Sequence, residues 1–299
     1  RFESRGLGDV YKRQSMFGPM TVDEREYQLK PMNCPFHVLT YASTLRSYKE
    51  LPIRWAELGT VYRYERPGVM HGLMRVRGFT QDDAHVFCLP EQISDEILKI
   101  LDLTETILSA FDFRNYEINL STRPEKSIGD DAVWDLATKG LTEALQRKGW
   151  DYKIDEGGGA FYGPKIDLKI EDAIGRMWQC STIQLDFNLP ERFGLEYVAV
   201  DGSRQRPIMI HRAIFGSLER FFGIMTENYA GDFPFWLAPE QIRLLPVTDE
   251  VMAYAETLQS ELTAAGIRSR IDRSGERLGK LIRSGEQQKI PVLAVIGAQ

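Results

Sequence analysis

Apolar residues recur with a helical period between residues 91 and 111. Ile93, Ile97, Ile100, Leu101, Thr104, Leu108 and Phe111 fall on one face there. Val133, Leu136, Ala137, Leu141, Ala144 and Leu145 predict a second amphipathic helix. Elsewhere the period drops to two. Ile166, Leu168 and Ile170 alternate with charged residues, and residues 207–210 lead from a turn into another apolar strand. Strands and helices are mixed without a repeating strand–helix–strand order, which predicts an antiparallel α+β core flanked by helices.

The pattern changes after Phe233-Pro234-Phe235-Trp236-Leu237-Ala238-Pro239. Strands are predicted over 242–247, 267–271 and 292–296, and helices over 251–265 and 278–288. This βαβαβ order implies a small separate α/β domain with a parallel sheet. The expected division is a large domain over 16–238 and a small one over 239–299. Residues 1–15 have no periodicity and read as a non-native tail.

The 299 residues contain no run of about 18 uncharged apolar residues, so no membrane helix is expected. The start has no apolar signal-peptide core, which points away from secretion. Three cysteines, Cys34, Cys88 and Cys180, are too few and too scattered for a disulfide framework and fit a reducing cytoplasm. A net charge of −6 argues against a surface that grips nucleic acid all over. A local basic patch remains at Arg268, Arg270, Arg273, Arg277, Lys280, Arg283 and Lys289. Without further information it reads as a solvated helix face.

The most informative stretch runs from Arg75 to Phe87. With period two, one strand face carries Arg75, Arg77, Phe79, Gln81, Asp83 and His85. The other carries Val76, Gly78, Thr80, Asp82, Ala84 and Val86, mostly small or apolar. A wet sheet face is the plain reading. Arginine, an aromatic ring, an amide, a carboxylate and an imidazole in one row also suit phosphate, a flat ring, an amine and a metal. Phe79 and His85 lie roughly 20 Å apart on a strand, room for a nucleotide and a small second substrate. Upstream, Arg63 and Glu65 share a face, and Pro67, Gly68 and Gly72 mark the loop of a hairpin.

Arg63-Tyr64-Glu65 followed by residues 75–79 resembles motif 2 of the class II aminoacyl-tRNA synthetases. Gly216-Ser217-Leu218-Glu219-Arg220 resembles their motif 3. Lys30-Pro31-Met32-Asn33-Cys34-Pro35, the string Gly78-Phe79-Thr80-Gln81-Asp82-Asp83-Ala84-His85, and Met209-Ile210-His211-Arg212-Ala213 resemble the threonine-specific members. So do residues 159–165 and 178–180. The resemblance covers the chain from about Met16 onward.

The resemblance implies an antiparallel sheet that binds ATP with Mg2+. Arg63 would hold the α-phosphate and Arg75 the γ-phosphate. Glu65 would meet the adenine amino group, Phe79 would stack on the ring, and Arg220 would cover its other face and reach the γ-phosphate. Gln179 joins this ATP set, and Lys165 joins Arg63 and Arg220 as catalytic residues. Met32, Gln81, Asp83, Tyr162 and Gln184 would bind L-threonine, with Asp83 on the amine. The resemblance also implies Zn2+ held by Cys34, His85 and His211. Their spacing alone is no metal signature, and by itself it suits buried packing residues. Such a metal would demand an oxygen ligand and so reject valine, though not serine. The implied partners are tRNA(Thr), gripped partly by the basic C-terminal patch, and a second copy in a homodimer.

Three departures carry expectations. Phe36 stands where the family has glycine, so strain beside Cys34 is expected if that position needs positive φ. Gln179 and Gln184 can share a pocket only if a bulge or turn intervenes near Ser181. Motif 1 and an editing region are not found, and the small domain stops after a strand, so a piece of a longer enzyme is expected. A sister synthetase for proline, serine or histidine is the nearest enzyme alternative, and Cys34, His85 and His211 together argue against it. A zinc hydrolase would show a His-Glu-x-x-His-like string, and none exists. A non-catalytic paralogue would have lost Arg63 or Arg220, and both are present.

Overall fold

The computed structural model describes residues 16–297; the tail expected over 1–15 lies outside the described residues. The described residues form two compact units, which divide between Ile224 and Met225.

The first unit opens on a short antiparallel hairpin, β1 (Met20–Val22) and β2 (Arg25–Tyr27). Helix α1 (Cys34–Ala42) follows, then the short strand β3 (Arg46–Ser47). Strands β4 (Ile53–Tyr62) and β5 (Gly78–Cys88) form a long hairpin. Helix α2 (Ile93–Ala110), β6 (Tyr116–Ser121), helix α3 (Asp131–Lys148) and β7 (Lys153–Asp155) come next. They lead to the hairpin of β8 (Lys165–Glu171) and β9 (Met177–Asp186). Helix α4 (Asn188–Arg192), β10 (Tyr197–Val198), β11 (Arg204–Gln205), β12 (Ile208–Ala213) and helix α5 (Leu218–Asn228) complete the order.

Seven strands make one sheet in the order β4-β5-β12-β9-β8-β6-β7. All its pairings are antiparallel except β6 with β7. The α+β core with a helix-flanked antiparallel sheet is therefore as the periodicity predicts. Buried Ile93, Ile97, Ile100, Leu101 and Leu108 give α2 its inner face. In α3 the buried set is Trp134, Ala137, Gly140, Leu141, Ala144 and Leu145. Leu136, expected inside, is exposed: Trp134, two residues earlier and so on the opposite side of the helix, takes the inner face. The two helices pack on each other and against β8 and β9.

Two strand expectations are corrected. Strand β5 begins at Gly78, so Arg75 and Arg77 lie in the connecting loop rather than in the strand row. The loop turns back on itself: Met74 N donates to His71 O at 2.9 Å, and Arg77 Nε and Nη2 donate to Glu65 O at 3.0 and 2.9 Å. Phe36 lies inside α1, outside the positive-φ residues, so the expected strain is absent. The expected bulge is present. Leu168 pairs with Ser181 and Lys169 with Gln179, which leaves Cys180 as the extra residue.

The turn between β8 and β9 rests on Asp172, whose side chain is buried. Its carboxylate accepts from Ile174 N (3.1 Å), Arg176 N (2.8 Å), Arg176 Nε (2.7 Å) and Trp178 Nε1 (2.8 Å). Burial raises its pKa, but the bonds from Trp178 and Arg176 outweigh that and hold it well below the usual range. A depressed folded pKa stabilises the fold above the unfolded value of about 3.9, and that contribution is lost as pH falls through the folded value. Asp172→Asn is expected to cost roughly 1.5–3 kcal/mol at pH 7, since these bonds involve a charged acceptor. Urea unfolding at pH 7 and pH 3 checks it: the gap between parent and variant should narrow in acid. Equal stability at pH 7 would refute the assignment.

In the second unit, β13 (Ile242–Pro246), β14 (Ser269–Ile271) and β15 (Val292–Ile296) form a parallel sheet in the order β14-β13-β15. Helices α6 (Met252–Ala264) and α7 (Leu278–Gln287) are the crossovers. Leu244, Ala255, Ile271 and Ile296 make its core. Among the described residues no helix is long and apolar enough to cross a membrane.

Candidate active site

A cleft of about 510 Å³ opens over β5, β12, β9 and β8, a size that suits small-molecule ligands. Of the sequence-predicted residues, Met32, Cys34, Arg63, Glu65, Arg75 and Phe79 line it. So do Gln81, Asp83, Tyr162, Lys165, Gln179, Gln184, His211 and Arg220. His85 does not line it and lies fully buried.

Strand register explains how such distant residues converge. Trp55 pairs with His85, His85 with His211, His211 with Gln184, and Gln184 with Lys165. The bulge at Cys180 returns Gln179 to the face of Thr182, and Gln179 Nε2 donates to Asp167 Oδ1 (2.6 Å) and Thr182 Oγ1 (2.8 Å).

One end of the cleft is rich in arginine. The Arg63 guanidinium lies 5.1 Å from the Phe79 ring centre and donates from Nε to Pro31 O at 3.2 Å. Arg75 Nε donates to Glu65 Oε2 at 3.1 Å. Arg220 Nε donates to Met74 O (2.8 Å) and Nη1 to Gln179 O (2.9 Å), with the guanidinium 5.5 Å from the Trp178 ring centre. Burial lowers the Arg220 pKa, yet a guanidinium keeps its charge in proteins.

At the other end Cys34, His85 and His211 bring three donor atoms within 4.8 Å of one another. Helix α1 carries Cys34, and Val38 and Tyr41 seat that helix in a core with Phe87 and Met209. Each of those side chains contributes roughly 1.5–3 kcal/mol by burial. His211 Nε2 lies 2.9 Å from Asp186 Oδ2. Desolvation pulls the His211 pKa down, but Asp186 and Cys34 outweigh it and push it up to about 10. Burial, with His211 and His37 adding to it, moves His85 well below its ordinary value. His85 Nε2 is buried with no hydrogen-bond partner. A thiol and two imidazoles that converge, one of them with an orphaned ring nitrogen, fit a zinc ion. Asp83, Asn33 and Tyr162 border this end. Asn33 Nδ2 reaches Asp83 Oδ2 at 3.3 Å, and Tyr162 Oη donates to Gln184 Oε1 at 2.6 Å.

Sequence reasoning missed Asp82 by placing it on the mostly small or apolar face. Its carboxylate accepts from the successive amides of Ile214 (2.7 Å), Phe215 (3.1 Å) and Gly216 (2.9 Å), and from Arg212 Nη1 (3.3 Å). Glu219 accepts from Thr80 N at 3.0 Å. These bonds pin the start of α5 to β5 and so set where Arg220 points. Gly216 has φ +74°, and a Cβ there would meet Cys180 O at 2.5 Å, so only glycine suits. A lone carboxylate on an apolar face was the available signal.

The tRNA synthetase class II core domain family (G, H, P, S and T) matches residues 17–229, and the anticodon binding domain family matches residues 241–299. A threonyl-tRNA synthetase RNA-binding domain from Cryptosporidium parvum Iowa II is 42% identical in a crystal structure. It superposes with a TM-score of 0.91 over 97% of this chain and 72% of that one. The chain belongs to the threonyl-tRNA synthetase family of class II. Threonine–tRNA ligase of Synechococcus sp. (strain CC9605) is 89% identical over 298 residues, 100% of this chain and 49% of that protein. The chloroplastic/mitochondrial threonine–tRNA ligase 2 of Arabidopsis thaliana is 62% identical over 97% of this chain and 44% of its own length. The chain thus spans about half the length of the curated relatives it matches.

Proposed function

We propose that the chain joins L-threonine to ATP as threonyl-adenylate, the first half of charging tRNA(Thr). The observation that supports this best is the two-ended cleft, with arginines and Phe79 at one end and a Cys–His–His donor set beside Asp83 at the other. Phe79 and His85 stand on the same strand, about 20 Å apart at ~3.3 Å per residue, which suits ATP and a small amino acid laid head to tail.

In this reading the threonine carboxylate attacks the α-phosphorus and pyrophosphate leaves. Little acid–base chemistry is required, so catalysis is alignment and charge neutralisation. Arg63 neutralises the α-phosphate. Arg75 exchanges its bond to Glu65 for the γ-phosphate, which frees Glu65 for the adenine amino group. Phe79 and Arg220 take the two faces of the ring, and Mg2+ arrives with ATP. Gln179 joins the ATP-binding set, and Lys165, whose ammonium is paired with Asp167, acts with Arg63 and Arg220. Asp83 and Tyr162 hold the threonine amine, with Met32, Gln81 and Gln184 around the side chain. Cys34, His85 and His211 would hold Zn2+, which when bound offers coordination that a hydroxyl can use and a methyl group cannot. The basic residues 268–289 would meet tRNA phosphates. Cytoplasmic location and a homodimer belong to the same proposal for the whole enzyme, as does a domain boundary near 238.

ATP–pyrophosphate exchange on the purified chain tests this. Threonine and serine are expected to support exchange and valine is not. A folded, zinc-loaded sample with no threonine-dependent exchange would instead point to a non-catalytic relative.

A further inference from the structure

We propose that His37 is a positioning residue that fixes the tautomer of His85 and so presents the lone pair of His85 Nε2 to the Cys34–His211 site. The proposal rests on the zinc reading above and extends it to a residue outside the donor set.

His37 lies three residues after Cys34, so α1 brings both to one face. His37 Nδ1 is 2.7 Å from His85 Nδ1. Two ring nitrogens this close share one proton, so one donates and the other accepts. The second nitrogen decides which. The carboxylates do not decide it alone, since Glu57 Oε1 stands 3.5 Å from His37 Nε2 and Asp83 Oδ1 3.6 Å from His85 Nε2. Burial does, because the His37 side chain keeps 12% exposure, so water can meet a proton on its Nε2, whereas His85 keeps none. A neutral His37 protonated at Nε2 has only Nδ1 left as acceptor. His85 Nδ1–H therefore donates, and His85 Nε2 keeps its lone pair.

The surroundings of His85 agree. Its side chain has no exposed surface, and Nε2 has no hydrogen-bond partner. Asp83 Oδ1, 3.6 Å away, is too distant to accept from it. A proton on Nε2 would be an orphaned buried donor, whereas a lone pair there is what a cation needs. The reverse relay, with His37 donating, would put that proton on Nε2 and close the site. Register supplies the carboxylate: Trp55 pairs with His85 and Glu57 with Asp83, so Glu57 reaches His37 from the adjacent strand. His211 is held in the same manner from the opposite side by Asp186. Outer partners of this kind orient metal-binding histidines and raise their basicity.

Three measurements test it. Chelator competition for Zn2+ is run on the parent, H37F and H37N; phenylalanine keeps ring volume without an acceptor, and asparagine keeps a polar atom near the Nδ1 position. H37F is expected to weaken zinc binding roughly 10–100-fold, with H37N recovering most of the loss. Long-range 1H–15N NMR of the zinc-free parent is expected to show His85 protonated on Nδ1, a readout that needs no variant to fold. Visible absorption of the Co2+-loaded parent reports whether the donor set binds metal at all. Tight zinc binding by a folded H37F, or His85 protonated on Nε2 in the parent, overturns the proposal. A parent that binds neither metal overturns the zinc reading itself.

Discussion

Replacing Arg220 by alanine lowers threonine-dependent pyrophosphate exchange by about 10²–10³-fold and leaves zinc content unchanged. The magnitude is that of removing one preorganised group from a site of developing charge. Arg220 is held in place before any ligand arrives: Met74 O and Gln179 O fix the guanidinium, and Asp82 and Glu219 fix the helix start that carries it. Such preorganisation means the charge needs no reordering when phosphate arrives. R220K should recover little, because an ammonium lacks the planar fork that spans two carbonyls. The loss should fall mainly on kcat if the contact strengthens as pyrophosphate departs, and on KM for ATP if Arg220 only covers the base. A folded R220A chain that exchanges at the parental rate would remove Arg220 from the machinery.

Much of this site was legible in the sequence because strands expose their pattern directly. The alternation of Phe79, Gln81, Asp83 and His85 put four residues on one face, and three of them line the cleft while His85 lies buried beside Cys34 and His211. The parity conflict between Gln179 and Gln184 required an extra residue, and Cys180 is that residue. What was not legible depends on partners far away in sequence. Asp82 gains its purpose from amides more than a hundred residues later, which no local period reports. His37 and Asp186 act through His85 and His211, so their chemistry exists only once α1, β5 and β12 have met. Arg77 sits in a motif-like string, yet its guanidinium is spent on the carbonyl of Glu65. Alternation alone could not tell that arginine from Arg75.

Removing the metal site should leave the chain with only a weak preference for threonine over valine. The two amino acids are close to isosteric, and an apolar pocket separates such pairs by only about 10–200-fold. A site that uses the hydroxyl directly reaches roughly 10⁴-fold or more. Cys34→Ala takes away one of three converging donors without disturbing the strands that carry the other two, because His85 and His211 are cross-strand neighbours held by the sheet itself. Val38 and Tyr41 still seat α1, so the variant is expected to fold. In exchange assays, kcat/KM for threonine should fall by about 10²–10³-fold toward the value for valine, which changes little. Chelating the parent should reproduce this, and added Zn2+ should reverse the effect in the parent but not in C34A. Serine should follow threonine downward, since it shares the hydroxyl. A threonine-to-valine ratio that survives both chelation and C34A would mean that shape around Gln81, Tyr162 and Gln184 does the sorting. The Cys–His–His cluster would then be a structural feature of the cleft floor.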